Sequence, residues 1–445
     1  MPEWLTQLLA WWQPDYIQAH TVACTAGCEV LRSIVLSALI FFTLLTGFAY
    51  TTVLERRLLA FLQDRIGPNR AGPLGLLQPL ADGIKLAFKE DITPAGADRF
   101  VYFIAPIIKV IPSLLVVATI PLGPPLMIPW FDGNWYRIPL ELAPNVNVGV
   151  LYILAWLSLG TYGIVLAGWS SNNKYSMLGG LRASAQMLSY ELSLGLTMAV
   201  PILITGSMNV QTIIAAQSGT PILSWFVFQN PVSALILCIA LLAEVNRAPF
   251  DLPEAESELT AGYHTEYSAF KFAMFYMAEY ISMISVSMIA IALFFGGYHF
   301  ILVDQVPILG PLVFGVKVVI FLSVMIWIRA TLPRIRYDRL MSFGWKFMLP
   351  VALLAVAWTA VSLIIGDVFN SQTAYFASSA VFLVVVLIAA AIIYRPKPQL
   401  RGDVVTLQPR GAGYVLLNVV GGVISIPIRL FTILGNVLRN LAPRS

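Results

Sequence analysis

Residues Val148–Trp169 read VGVLYILAWLSLGTYGIVLAGW, a run without one charged side chain. A helix needs about 20 such residues to cross the hydrocarbon core of a bilayer. Comparable runs recur near 31–53, 100–122, 148–169, 185–206, 230–245, 270–295, 311–331, 347–366 and 374–394. They predict nine transmembrane helices, the fifth of them short. The whole chain agrees: its 445 residues are 58% hydrophobic and only 11% charged, with a mean hydropathy of +0.79. A soluble protein carries roughly 25% charged residues. The expected class is therefore an all-α polytopic membrane protein with structured cytoplasmic loops.

The N-terminus, MPEWLTQLLAWWQPD, lacks a basic leader region, which argues against a cleaved signal peptide. Its Trp4, Trp11 and Trp12 suit a membrane interface, so residues 1–30 are expected as an external interfacial segment. Residues 31–394 then form the nine-helix domain and 395–445 a cytoplasmic tail. Within the tail, Arg429, Thr432, Asn436, Arg439 and Asn440 recur every three or four residues. That spacing predicts an amphipathic helix lying on the membrane rather than a tenth span. No internal repeat is evident, which argues against an inverted-repeat transporter.

Basic residues orient the map. Twenty-three of the 27 lysines and arginines fall in, or at the edges of, loops that follow odd-numbered spans, or in the tail; the others are Arg32, Lys109, Arg137 and Lys317. Positive charge accumulates on the cytoplasmic side, which puts the N-terminus outside and the C-terminus inside. Three cysteines, Cys24, Cys28 and Cys238, are too few for the roughly four thiolates of an iron–sulfur cluster.

Two loops and several spans carry the unusual chemistry. In the loop at 53–99, GPNRAG (Gly67–Gly72) has phosphate-loop spacing, but Pro73 and Leu74 follow where Lys and Ser/Thr are required. What remains is a Gly/Pro-rich turn beside an amphipathic segment, Leu76–Phe88. It reads either as a basic anchor or as a surface pocket for an amphiphile with a polar head and an apolar tail. The loop at 245–270 takes in most of LAEVNRAPFDLPEAESELTAGYHTEY (Leu242–Tyr267), which sets Glu244, Asp251, Glu254, Glu256, Glu258 and Glu266 against one cation, Arg247. A solvated acidic surface is the plain reading; interleaved Phe250, Leu252, Ala255 and Leu259 favour a buried, coupled set of carboxylates. EF-hand spacing is absent. Inside the spans stand Glu191, Glu279, Lys109 and Lys317, with Glu244 ending the fifth. Each costs at least about 2.5–3.5 kcal/mol at mid-bilayer, and such residues commonly line proton or ion routes.

Four cytoplasmic stretches resemble one family: ERRLLAFLQDRIGPNRAGPLGLLQPLADGIKLAFKE, LGGLRASAQMLSYE, the acidic stretch above and LPRIRYDRLMSFGWK in the basic loop at 329–346. They are similar to the H subunits of bacterial NADH:quinone oxidoreductase, respiratory complex I, over about residues 31–366. The resemblance implies a multi-pass subunit of the bacterial plasma membrane with no catalytic residue, metal or redox centre of its own. NADH, FMN and iron–sulfur clusters would belong to partner subunits, and quinone would be the substrate. Glu55, Arg56, Arg65, Asp82, Lys85, Arg247, Arg334 and Arg336 match the family's quinone-chamber residues. Glu191, Glu244, Glu254, Glu256, Glu258, Glu266 and Glu279 match acids that link the chamber to proton pumping. The implied partners are the peripheral subunits at the quinone site and the small and antiporter-like membrane subunits, with no nucleic acid. The alternative within this resemblance is the equivalent anchor of a complex fed by ferredoxin or a hydrogenase.

Overall fold

The structure, a computed structural model, describes residues 21–22, 26–129, 135–143, 146–218, 224–251, 261–300, 303, 306–369 and 372–393. Glu254, Glu256, Glu258, the N-terminal tryptophans and the amphipathic tail segment lie outside the described residues. The chain divides into two compact units, residues 1–390 and 391–445, and the elements below belong to the first apart from the last residues of the final helix.

A two-residue strand, β1 (Thr21–Val22), precedes helix α1 (Ala26–Leu62). At 1.5 Å per residue α1 rises about 55 Å, well past an apolar zone of about 30 Å. The helix is therefore longer than an apolar crossing needs, and its last turns carry Glu55 and Arg56. The following turn depends on glycine: Gly72 and Gly75 have φ of 71° and 69°, and a Cβ on Gly75 would lie 2.2 Å from the Pro68 carbonyl. Helix α2 (Gln78–Phe88) follows and buries none of its residues.

Helix α3 (Arg99–Leu115) starts at Asp98, whose carboxylate accepts from the Val101 N–H. Pro106 and Pro112 lie inside it, and a 3-10 turn, Val116–Thr119, extends it. Strands β2 (Leu126–Pro129) and β3 (Trp135–Ile138) pair antiparallel with Leu126 opposite Ile138, and β1 joins β3 in parallel. The sequence reading foresaw no strand. These are two to four residues long, too short for alternation to register, and they leave the architecture helical.

Helices α4 (Gly149–Ser170) and α5 (Lys174–Thr205) form a hairpin; Asn173 caps α5 and left-handed Gly206 ends it. The short helices α6 (Val210–Ala215) and α7 (Phe226–Gln229) lead to α8 (Pro231–Glu244). Then come α9 (Ala269–Phe294), α10 (Gly310–Thr331) and α11 (Tyr337–Phe343). A π turn, Gly344–Met348, joins α11 to α12 (Leu349–Val368), and α13 (Gln372–Ile393) closes the series. Among the described residues, seven segments are long and apolar enough to cross a membrane: α1, α3 with its extension, α4, α5, α9, the segment containing α10, and the α11–α12 run. The fifth expected span is present as a shorter helix, α8 with 14 residues, and α13, with 22 residues, stands where the ninth is expected.

Helix α9 is the axis of the bundle, buried over almost its whole length, with α1, α3 and α10 packed on it. The α4–α5 hairpin packs beside α3, and α8 and α12 close on α5. Small residues allow this proximity. A Cβ on Gly163 of α4 would lie 2.8 Å from the Lys109 backbone nitrogen, and one on Gly168 would lie 2.7 Å from the Ser176 carbonyl. Outward faces stay apolar, as at Leu312, Val316 and Ile320 of α10, which suits contact with lipid rather than water.

Candidate functional site: a buried charge cluster at the membrane surface

Glu55 faces inward from α1 and is 4% exposed. Its Oε2 accepts from the Tyr280 hydroxyl of α9 at 2.7 Å. Its Oε1 lies 3.4 Å from Nη1 of Arg247 and also accepts from Nη1 of Arg329, at the end of α10. Arg247 turns its Nε to Glu279 of α9 at 2.7 Å, and its guanidinium lies over the Tyr280 ring, 4.5 Å from the centroid. One planar fork thus ties an acid of α1 to an acid of α9, the geometry to which arginine is suited. Burial opposes the charge on Arg247, but Glu279, Tyr280 and Tyr276 together outweigh it and raise the pKa.

The loop that carries Arg247 is held from three sides. Asn246 adopts φ 54°, which turns the chain sharply after α8. Buried Gln186 of α5 donates from Nε2 to the Ala243 carbonyl at 3.1 Å, Asn246 Oδ1 at 3.1 Å and the Phe250 carbonyl at 2.8 Å. From the basic loop, the Ile335 N–H donates to the Pro249 carbonyl at 3.1 Å, and Arg334 pairs with Asp251 at 2.8 Å. The basic and acidic loops are therefore docked on one another.

Beside this cluster, Arg56 of α1 pairs with Asp82 of α2 at 2.7 Å, and Lys85 lies 3.7 Å from the same carboxylate. Helix α2 leaves Leu80, Ile84 and Phe88 exposed. A charged pair next to an uncovered apolar face offers both parts of an amphiphile site. Of the other expected chamber residues, Arg65 is exposed and donates to Gln63 at 2.8 Å. Arg336 is also exposed, 3.5 Å from Asp338. Neither reaches the buried cluster.

A line of charges leads inward from Glu279. Lys109 of α3 interacts electrostatically with Glu279 and Glu244, and Glu244 in turn with Glu191. Glu244 and Glu279 are both buried. Glu191 accepts from the Ser158 hydroxyl and lines a groove of about 1210 Å³ between α4 and α5, with Arg182 and Tyr337. Glu279 and Glu244 are thus linked through Lys109, and Glu191 through Glu244. The signal was visible as a lone cation in an apolar span; its partners were not. Arg329, Tyr280 and Gln186 were also missed, because only the fold brings them to Glu55 and Arg247.

Two expectations fall elsewhere. Glu266 accepts from the Asn173 amide at 2.6 Å, at the corner of α3, α4 and α5. Beside it, burial pushes the Tyr267 phenol up to about 12. Lys317 has a structural occupation: its ammonium donates to the carbonyls of Phe295, Gly297 and His299, each at 2.9 Å, and lies over Trp225. Three donors meet three carbonyls past the end of α9, as in cationic capping.

The chain is similar in sequence to known proteins. A family model described as NADH dehydrogenase matches residues 35–360. The chain is 50% identical over 315 residues to the H subunit of NADH-quinone oxidoreductase from Protochlamydia amoebophila (strain UWE25), covering 71% of this chain and 92% of that protein. It is 49% identical over 323 residues to an H subunit of NADH-quinone oxidoreductase from Geobacter sulfurreducens, covering 72% and 93%.

Proposed function

The chain belongs to the NADH dehydrogenase family, among the H subunits of NADH-quinone oxidoreductase, and from that premise we propose that it forms the membrane part of the quinone chamber and relays quinone reduction to proton translocation. In this reading it sits in the bacterial plasma membrane with its N-terminus external and C-terminus cytoplasmic. It anchors the peripheral subunits that deliver electrons from NADH through FMN and iron–sulfur clusters. Antiporter-like membrane subunits continue the proton route.

The observation that carries the reading is the sharing of Arg247 between Glu55 and Glu279. Helix α2, with Asp82 and Lys85, stands at the surface where an amphiphilic quinone arrives. Reduction to the quinol takes two electrons from the partner subunits and two protons, so charge appears and is neutralised near Glu55. At an effective dielectric near 20, a unit charge about 4 Å away is worth about 4 kcal/mol. Moving one proton against 100 mV costs about 2.3 kcal/mol. A charge change at Glu55 therefore has enough leverage, through Arg247, to displace the balance at Glu279, Lys109, Glu244 and Glu191.

Asp82→Ala tests the chamber. Quinone reduction by the assembled complex is expected to slow, while reduction of an artificial acceptor that takes electrons upstream continues. If both rates fall together in a fully assembled complex, Asp82 serves something other than the quinone.

A further inference from the structure

Lys271, in the first turn of α9, is 5% exposed, and the cluster described above makes no use of it. Its ammonium pairs with Asp91 at 2.9 Å and donates to Thr93 Oγ1 at 3.0 Å. It also lies 4.8 Å from the Tyr102 ring centroid and 4.6 Å from that of Phe103. The residue between its partners is fastened as well. The Ile92 N–H donates to Ser268 Oγ at 2.9 Å, and that hydroxyl contacts the Ile92 carbonyl at 3.4 Å. Residues 91–93 are thus pinned to Ser268–Lys271 at the head of α9.

Those three residues begin two positions after Lys89, the C-cap of α2. Helix α2 packs on α1 and α9 yet buries none of its side chains, so apolar burial does not fix its place. Its polar fastenings are Arg56–Asp82 at the middle and Lys271–Asp91 just past its end. The two partners of the second pair are unequal: Lys271 is enclosed, whereas the Asp91 side chain is half exposed. An enclosed ammonium that spends its donors on one loop segment and lies over two aromatic rings is a fixed post; a half-exposed carboxylate is readily resolvated.

We propose that Lys271 and Asp91 form a clasp that sets the position of α2 and, through it, the apparent affinity of the quinone site. Lys271 is a positioning residue: it acts through the segment that carries Asp82 and Lys85, without touching the substrate. The affinity half of the inference rests on the quinone-chamber reading of α2; the clasp itself does not.

The experiment uses the assembled complex with Lys271→Met, Lys271→Arg and Asp91→Asn, reading hydrogen exchange of residues 76–93 together with KM and kcat for a short-chain quinone. Lys271→Met keeps the stem and removes the charge; it is expected to speed exchange across 76–93 and raise KM several-fold with kcat little changed. Arginine, whose fork reaches the same carboxylate and stacks on the same rings, is expected to restore both. Asp91→Asn is expected to give a weaker version of the methionine effect. Unchanged exchange in Lys271→Met, or no recovery in Lys271→Arg, overturns the clasp. Faster exchange with an unchanged KM overturns its link to the quinone site. Failure of the Asp82→Ala test with the exchange effects intact removes the chamber reading and leaves the clasp standing.

Discussion

Arg247 is the residue on which the buried cluster turns. Removing one member of a buried ion pair leaves the other uncompensated, at a cost of about 3–5 kcal/mol. Arg247→Met is therefore expected to lower the melting temperature of the complex and to weaken its assembly. The pH dependence has a definite sign. A raised folded-state pKa contributes stability that is present at lower pH and lost only as pH rises through the folded value, far above any assay range. The arginine thus stays cationic throughout, and its advantage over methionine is expected to shrink only on acidification, as its carboxylate partners take up protons. Melting curves of both forms across pH check this; an advantage lost first on the alkaline side contradicts it. Sequence reading picked out Arg247 as the one cation among six acids, but not which acids it holds. Glu55 lies 192 positions away, and its selection is a property of packing. Lys317 shows the converse. As a charge in an apolar span it resembled Lys109, and only the three carbonyls around it separate a cap from a relay.

At the scale of elements, the line from Glu279 to Glu191 depends on how closely α3 and α4 approach. Gly163 sets that approach: a methyl there would stand 2.8 Å from the Lys109 nitrogen and 3.0 Å from the Ala105 carbonyl, both backbone atoms. One helix must move, and overpacking of this kind costs about 1–3 kcal/mol. Gly163→Ala is expected to lower thermal stability by that order and to disturb Lys109. Gly83→Ala in α2 meets nothing within 4 Å and is expected to be neutral or to stabilise by about 0.5–1 kcal/mol. Equal melting temperatures for the two variants contradict the packing argument. The long spans and α2 were legible because hydrophobic runs and a 3.6-residue period are local signals. The fifth span was legible as short, and α8 is so because Asn230–Pro231 precedes it and the sharp turn at Asn246 follows it. The three-stranded sheet was not legible: β1 and β3 pair across more than a hundred residues with two partners each.

For the molecule as a whole, the proposed function treats the charges as one line through the bundle rather than as a scattered set. It begins at Glu55 on α1, passes Arg247 and Glu279, and continues through Lys109 and Glu244 to Glu191 on α5. Glu266 is off that line, held by Asn173 at the corner of α3, α4 and α5, although the family resemblance groups it with the others. This placement separates two variants of the same chemistry. Glu191→Gln removes the last acid of the route, so displaced charge has no further proton site to act on. Quinone reduction and proton uptake are linked, and both rates are therefore expected to fall in reconstituted vesicles with the complex assembled. Glu266→Gln keeps a hydrogen-bonding side chain beside Asn173 and is expected to leave pumping nearly intact. Proton pumping and quinone reduction measured side by side decide the matter. Equal losses in the two variants, or pumping that survives Glu191→Gln, mean that protons do not follow the line of charges from α9 to α5.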